Sequence, residues 1–347
     1  MFSLRHIRTA LISLTCLGLC AAQAAEPKLD AHLGKIAAWQ TRHIATYFPG
    51  RMAGSPAELI AADYLTQHFS QMGYQSSLHS FKTRYIYTSE NGKQSWQNIN
   101  ATSVNALHAG EVPQQIVVMA HFDTYMPLSD NDANHNLGGL TLQGVDDNAS
   151  GVGVMLELAQ RMSNVPTHYS LRFVALSAEQ TGSQGAKDFV DNMTPEERKN
   201  TLLVVNLNSL IVGERLYFNS GAHTSAEVTK LSRNRALALA QRLEIPAASS
   251  PATANSDGDL QPLDDANIPL LLVSASDWTQ GNKDGKQQRA ISTHFPEGTS
   301  RKQGQLDNLQ YLDRYLPGRI AKRSSDSVKI LLPLLQELAN PSSVQRS

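Results

Sequence analysis

The chain has 347 residues, of which 41% are hydrophobic and 18% charged, and its formal net charge is −1. It is long enough to bury a large core, and its near-neutral charge excludes a surface built for nucleic acid or an anionic membrane.

Residues 1–24 read as a signal peptide. Arg5 and Arg8 precede an apolar run from Thr9 to Cys20, and Ala22-Gln23-Ala24 supplies an A-x-A cleavage site. The run is too short for a stable membrane span. Leu17-Gly18-Leu19 before Cys20 puts a bulky leucine where lipidation wants a small residue. The expected mature protein, residues 25–347, is periplasmic or secreted. Because Cys16 and Cys20 both lie in the leader, it has no thiol and must be stable through its core alone.

Ser55-Pro56-Ala57-Glu58 reads as a capping box with proline at the first helical position, and Ala61, Leu65, Phe69 and Met72 continue a helical stripe that Gly73 stops. Apolar runs suited to strands buried on both faces follow at Ile116–Ala120, Leu171–Leu176, Leu202–Leu207 and Ile268–Val273. Helical patterns alternate with them at Val152–Met162, Ala226–Leu243 and Val328–Leu338, the last with Pro333 as an expected kink. The alternation predicts an α/β fold, a mixed, largely parallel sheet sandwiched by helices in one domain, with chemistry beyond the carboxyl ends of the strands. The loop from Tyr125 to Leu142 holds Asp130, Asn131, Asp132 and Asn134, and reads as solvated polar chain ahead of a calcium-type oxygen site.

Two strand ends and one helix start carry polar groups. Val117–Ala120 runs into His121-Phe122-Asp123, which reads either as a satisfied histidine or as an imidazole oriented by a carboxylate for a metal. Gly144-Val145-Asp146-Asp147-Asn148-Ala149-Ser150-Gly151 opens a helix and could simply be an acidic N-cap. Leu171–Leu176 ends in Ser177-Ala178-Glu179-Gln180-Thr181-Gly182. In this order the segments resemble the co-catalytic zinc aminopeptidases, which run His-x-Asp, a Gly-x-Asn/Asp-Asp-Asn/Asp-x-Ser-Gly helix start, Gly-Ala-Glu-Glu-x-Gly, Asn-Leu-Asp and a late histidine. Pro49–Ser55, the loop after His121 and Leu316-Pro317-Gly318-Arg319-Ile320 are most similar to the bacterial alkaline phosphatase isozyme conversion aminopeptidases. The resemblance implies His121 as a terminal zinc ligand, Asp123 as its orienter, Asp147 as the bridge between two zincs, and Glu179 as the general base.

The sequence departs from that pattern at the metal. Gln180 stands where the family has a glutamate ligand, and Asn208, in Asn206-Leu207-Asn208, where it has an aspartate. Zinc sites are built from thiolate, imidazole and carboxylate, and Asp147 alone remains of three carboxylate ligands facing two dications. The last ligand is open between two positions. Register from Leu306-Asp307-Asn308 puts Lys302 there, a cation that replaces metal charge, whereas Thr293-His294-Phe295-Pro296 offers His294 as the ligand. The expectation is zero or one zinc rather than two. Two functions stay open: an impaired aminopeptidase acting on peptide or protein N-termini, and an inactive pseudopeptidase that binds a peptide end or protein partner in the same cleft. No nucleic acid or membrane partner is expected.

Overall fold

Along the strand Val112–His121, Ile116, Val118 and Ala120 belong to one apolar cluster and Val117 and Met119 to another. A strand buried on both faces must be covered on both, and this requirement organises the chain. The computed structural model describes residues 30–135, 142–250, 260–277, 292–295 and 300–341. The leader, residues 1–24, lies outside them.

The elements begin with α1 (Lys35–Tyr47), α2 (Pro56–Gln71), β1 (Gln75–Thr88), β2 (Gln94–His108), β3 (Val112–His121) and α3 (Asp130–His135). A π-helical turn, Val145–Ser150, leads into α4 (Gly151–Met162), followed by β4 (Tyr169–Leu176), α5 (Gln184–Asp191), α6 (Pro195–Asn200), β5 (Thr201–Asn208) and β6 (Arg215–Ser220). Next come α7 (Ala226–Thr229), α8 (Arg235–Arg242), β7 (Ala247–Ala248), α9 (Gln261–Asp265) and β8 (Leu270–Ser276). A 3-10 helix at Ser300–Leu306, α10 (Leu309–Tyr315) and α11 (Arg319–Ala339) close the domain.

The sheet order is β1-β2-β4-β3-β5-β8-β6-β7, parallel at its centre (β4, β3, β5, β8) and antiparallel where β2 meets β4, β1 meets β2 and β6 meets β8. The larger apolar layer lies under α1, α2, α4, α8 and α11, and the smaller under α5 and α9. This is the mixed, largely parallel α/β sandwich expected from the sequence. Two details differ. Ser55 caps α2 through the Glu58 N–H at 3.1 Å, but the Glu58 carboxylate does not close the box. It turns inward to accept from Gly54 N at 2.9 Å, Thr102 N at 3.0 Å and the Ser177 hydroxyl. The long β1–β2 hairpin was not foreseen, because its residues are mostly polar and half-exposed.

α11 runs through Pro333 to Ala339. In the loop after β3, Asp130 braces the hairpin, accepting from the Tyr87 hydroxyl at 2.7 Å and Glu90 N at 2.6 Å, whereas Asp132 accepts from Leu128 N of its own loop at 3.0 Å. No helix among the described residues is long and apolar enough to cross a membrane.

Candidate active site

The cleft is built at the carboxyl ends of β3, β4 and β5. β3 ends on His121, β4 leads into Glu179 and Gln180, and β5 ends on Asn208. Between them sits the Gly144–Gly151 turn, fixed almost wholly by buried side chains. Asp307 Oδ1 accepts the Asp146 N–H at 2.7 Å and Oδ2 the Asp147 N–H at 2.9 Å. The Asp146 carboxylate takes the N–H groups of Ile211 (2.8 Å) and Val212 (3.1 Å) and the Ser300 hydroxyl (2.7 Å). Asn148 is a four-way wedge. Its amide donates to the carbonyls of His121 (3.1 Å) and Leu207 (2.9 Å) and accepts from Gly151 N (3.0 Å) and Ser209 N (3.1 Å). Gly151 is required here, since a Cβ would lie 2.4 Å from the Leu207 carbonyl.

Arg51, fully buried, threads the same region and donates to the carbonyls of Phe122 (2.5 Å), Gln143 (2.7 Å) and Gly144 (2.9 Å). Burial pushes its guanidinium down to about 10, so it stays charged near neutral pH, with Asp307, Asp123 and Asp147 as the opposing charges. Burial pushes the Asp307 carboxyl up to about 8 and that of Asp146 up to about 6. Carboxylates packed this closely do not all ionise together.

The Asp147 side chain that this turn presents is engaged at both oxygens. His121 Nε2 lies 2.9 Å from Oδ1, and the Gln180 amide donates from Nε2 to Oδ2 at 2.7 Å. The Ser209 hydroxyl is a further donor to Oδ1 at 3.4 Å and also donates to Asn208 Oδ1 at 3.1 Å. On its other side, the His121 ring puts Nδ1 3.3 Å from Asp123 Oδ1, while Asp123 Oδ2 accepts the Gln180 backbone N–H at 3.0 Å. Burial opposes charge on the His121 imidazole, but Asp147 and Asp123 outweigh it and hold its pKa well above the ordinary histidine value. Glu179 is buried, and its Oε1 accepts the Ala186 N–H at 2.6 Å in the first turn of α5. Gly185 allows that turn, because a Cβ there would lie 2.0 Å from the Ser177 carbonyl.

His121, Asp123, Asp147, Glu179, Gln180 and Asn208 are thus brought into one region by three strand ends and a turn. His294 packs on α10. Its carbonyl accepts from the Tyr311 hydroxyl at 2.8 Å, and its ring lies 5.5 Å from that of Tyr315. Lys302 belongs to the 3-10 helix that Ser300 and Asp307 pin to the Asp146–Asp147 turn, but its side chain lies outside the described residues. Sequence reasoning missed the supports: Asp307, which had served as a register marker, and Asp146, Asn148 and Ser209. The signal available was the run of polar residues at Asp146-Asp147-Asn148.

A model of the family described as "Peptidase family M28" matches residues 100–325. The chain belongs to this family. It is 50% identical over 349 residues to the alkaline phosphatase isozyme conversion protein of Escherichia coli (strain K12), covering 99% of this chain and 100% of that one. The fold is similar to that of a zinc aminopeptidase from Bacillus subtilis, with a TM-score of 0.68 at 13% identity over 89% of this chain and 96% of the other. It is also similar to that of Porphyromonas gingivalis glutaminyl cyclase, with a TM-score of 0.62 at 16% identity over 88% and 98% of the two chains. The scaffold therefore carries more than one chemistry, and activity must be read from the site.

The zinc pair that the family implies was tested against these donors. Zinc needs a neutral imidazole nitrogen and anionic or thiolate partners with free lone pairs. Here both Asp147 oxygens already accept protein hydrogen bonds, from His121 Nε2 and from the Gln180 amide. Gln180 turns N–H toward the carboxylate, an orientation set by chemistry, because the reversed amide would place oxygen against oxygen. Among the described residues, no group of three or more His, Cys, Asp or Glu converges to hold a metal. This donor set does not fit a zinc pair.

Proposed function

We propose that this M28 chain keeps the peptidase cleft but does not assemble the zinc pair, so that removal of N-terminal residues is absent or strongly impaired. The observation that carries the reading is the 2.7 Å hydrogen bond from Gln180 Nε2 to Asp147 Oδ2, which puts a donor where the family pattern has a carboxylate ligand. The cleft then holds the amino end of a peptide or protein without cutting it. Gln180 Oε1 is buried with no hydrogen-bond partner among the described residues, so this polar pocket has acceptor capacity that its own side chains do not use.

Lys302 extends this reading. With the metal gone, Asp147 and Glu179 are carboxylates in one buried region, and an ammonium from the pinned 3-10 helix would replace part of the lost charge. Lys302→Met should then destabilise the protein near neutral pH and less in acid, where the carboxylates protonate. Equal destabilisation at both would remove Lys302 from the site. The leader pattern supports export to the periplasm or beyond, and N-terminal sequencing of the fractionated protein, expected to start at Ala25, tests it.

A second reading, a slow peptidase, is favoured by Glu179, whose Oε1 is held by the Ala186 N–H in the position of the family's base. Metal analysis of the purified chain, together with hydrolysis of aminoacyl p-nitroanilides, decides between them. Less than one zinc per chain and no turnover are expected. Two zincs, with turnover in the ordinary range of about 1–1,000 per second, would overturn the proposal.

A further inference from the structure

Among the described residues, β1 is the terminal strand of the sheet; it pairs along its length with β2 and makes one isolated bridge, from Thr88 to Ser129. At its end the Thr88 N–H points outward, donating to the Leu128 carbonyl at 2.9 Å, while the next residue, Ser89, donates inward to Lys93 O at 2.9 Å. Antiparallel pairing alternates, so the N–H and C=O groups of Ile86, Arg84, Lys82 and Ser80 point outward like those of Thr88. Among the described residues, no strand pairs with that edge before Thr88.

The exposed face of the same hairpin is set by register. Lys82 pairs with Asn100, Arg84 with Asn98 and Ile86 with Trp96, and all six side chains are exposed. Ile86 is 42% and Trp96 54% exposed, and the Arg84 guanidinium lies 4.3 Å from the Trp96 ring centroid. Neither β1 nor β2 contains an aspartate or glutamate. A groove of about 610 Å³ runs past Lys82, Arg84, Asn98 and Asn100 to Gln184.

From this we propose that the outer edge of β1, from Ser80 to Ile86, is a docking strand for an extended, acidic segment of a partner protein, which joins the sheet as a further strand. Open edge groups supply backbone hydrogen bonds, Lys82 and Arg84 select acidic side chains, and Ile86 with Trp96 offers an apolar anchor. A second copy of this chain is disfavoured as the occupant. An antiparallel self-pair centred on this stretch would set Lys82 of each copy opposite Arg84 of the other, and like charges directly opposite are destabilising. The surface lies on the hairpin and does not depend on whether the cleft holds metal.

The probe is a fluorescein-labelled peptide alternating valine and glutamate, followed by fluorescence anisotropy against the full chain. Binding that weakens with added salt is expected. The double variant Lys82→Glu/Arg84→Glu should bind at least about tenfold more weakly with an unchanged melting temperature, since both side chains are exposed. Two further peptides, N-methylated at alternate amides in the two registers, separate strand addition from simple charge attraction. One register should abolish binding and the other retain it. Equal binding by both, affinity unchanged in the double variant, no binding at millimolar peptide, or concentration-dependent dimers lost in the double variant would each overturn the proposal.

Discussion

The Gly144–Gly151 turn and the loops that carry Gln180 and Asn208 face one another across the same cleft, yet their side chains do different work. Asp146, Asn148 and Asp307 point into protein and hold backbone groups of three segments, the end of β3, the Gly144–Gly151 turn itself and the stretch Leu207–Val212. Gln180 and Asn208, the amides proposed to replace metal-facing carboxylates, hold no backbone groups of other segments; the Gln180 amide donates to the Asp147 carboxylate. The difference teaches which part of a metal site is scaffold. Groups that satisfy buried N–H and C=O cannot change without cost, with or without zinc. A side chain that holds no such group can change, provided that its neighbours find other partners, and Gln180 is such a partner for Asp147.

Breaking the scaffold side should have the largest effect. Asn148→Ala strands two carbonyls and two N–H groups in the interior, and should cost about 4 kcal/mol in urea unfolding. A loss below about 1 kcal/mol would mean that the wedge is dispensable and the comparison misdrawn. Asp307→Ala, which removes the acceptor for both Asp146 N and Asp147 N, should cost about 3 kcal/mol. Asp307→Asn keeps one acceptor oxygen and should fall between it and the parent.

The substituted side gives a smaller effect whose sign depends on metal. In chelator, Gln180→Glu replaces a donor with a carboxylate against Asp147, and should destabilise by about 2 kcal/mol. Combined with Asn208→Asp, and with zinc added at about 100 times its dissociation constant, the variant should instead gain about 2.7 kcal/mol relative to its own metal-free state. Calorimetry with and without zinc reads both. No zinc-dependent gain in the double variant would show that more than two ligands have been lost.

The smallest effect concerns Glu58, behind the cleft. Burial raises its carboxyl above the ordinary glutamate range, although the Ser177 hydroxyl and the N–H groups of Thr102 and Gly54 favour the ion. The folded protein therefore holds the proton more tightly than the unfolded chain. The stability it contributes is fully present below the unfolded pKa and is lost as pH rises through the folded one. Glu58→Gln should remove that downward slope while lowering stability at every pH, because the new amide must face donors. A slope unchanged in the variant would assign it to other groups.

The central strands, the helix after Gly151 and the gathering of His121, Asp147, Glu179 and Asn208 at the strand ends were legible because each follows from a local pattern: an apolar run, a helix start, a polar residue where a strand stops. The β1–β2 hairpin was not, since strands exposed along much of their length show no apolar run. Glu58 was misread for a related reason. The spacing from Ser55 fits a capping box, but only the fold brings Thr102 and Ser177 close enough to turn its carboxylate inward.

By itself the sequence determined the α/β class and the order of the site segments, and it places amides at positions 180 and 208, all of which is written in residue type and short spacing. Only the tertiary structure decided what those amides do. A lone Gln180 is equally a weak ligand or a donor, and the choice depends on Asp147, 33 positions away in sequence and 2.7 Å away in space. Hydrogen bonds are satisfied across the fold rather than along the chain, so the partner that converts an amide from a damaged ligand into a clasp on Asp147 becomes visible when the strands come together.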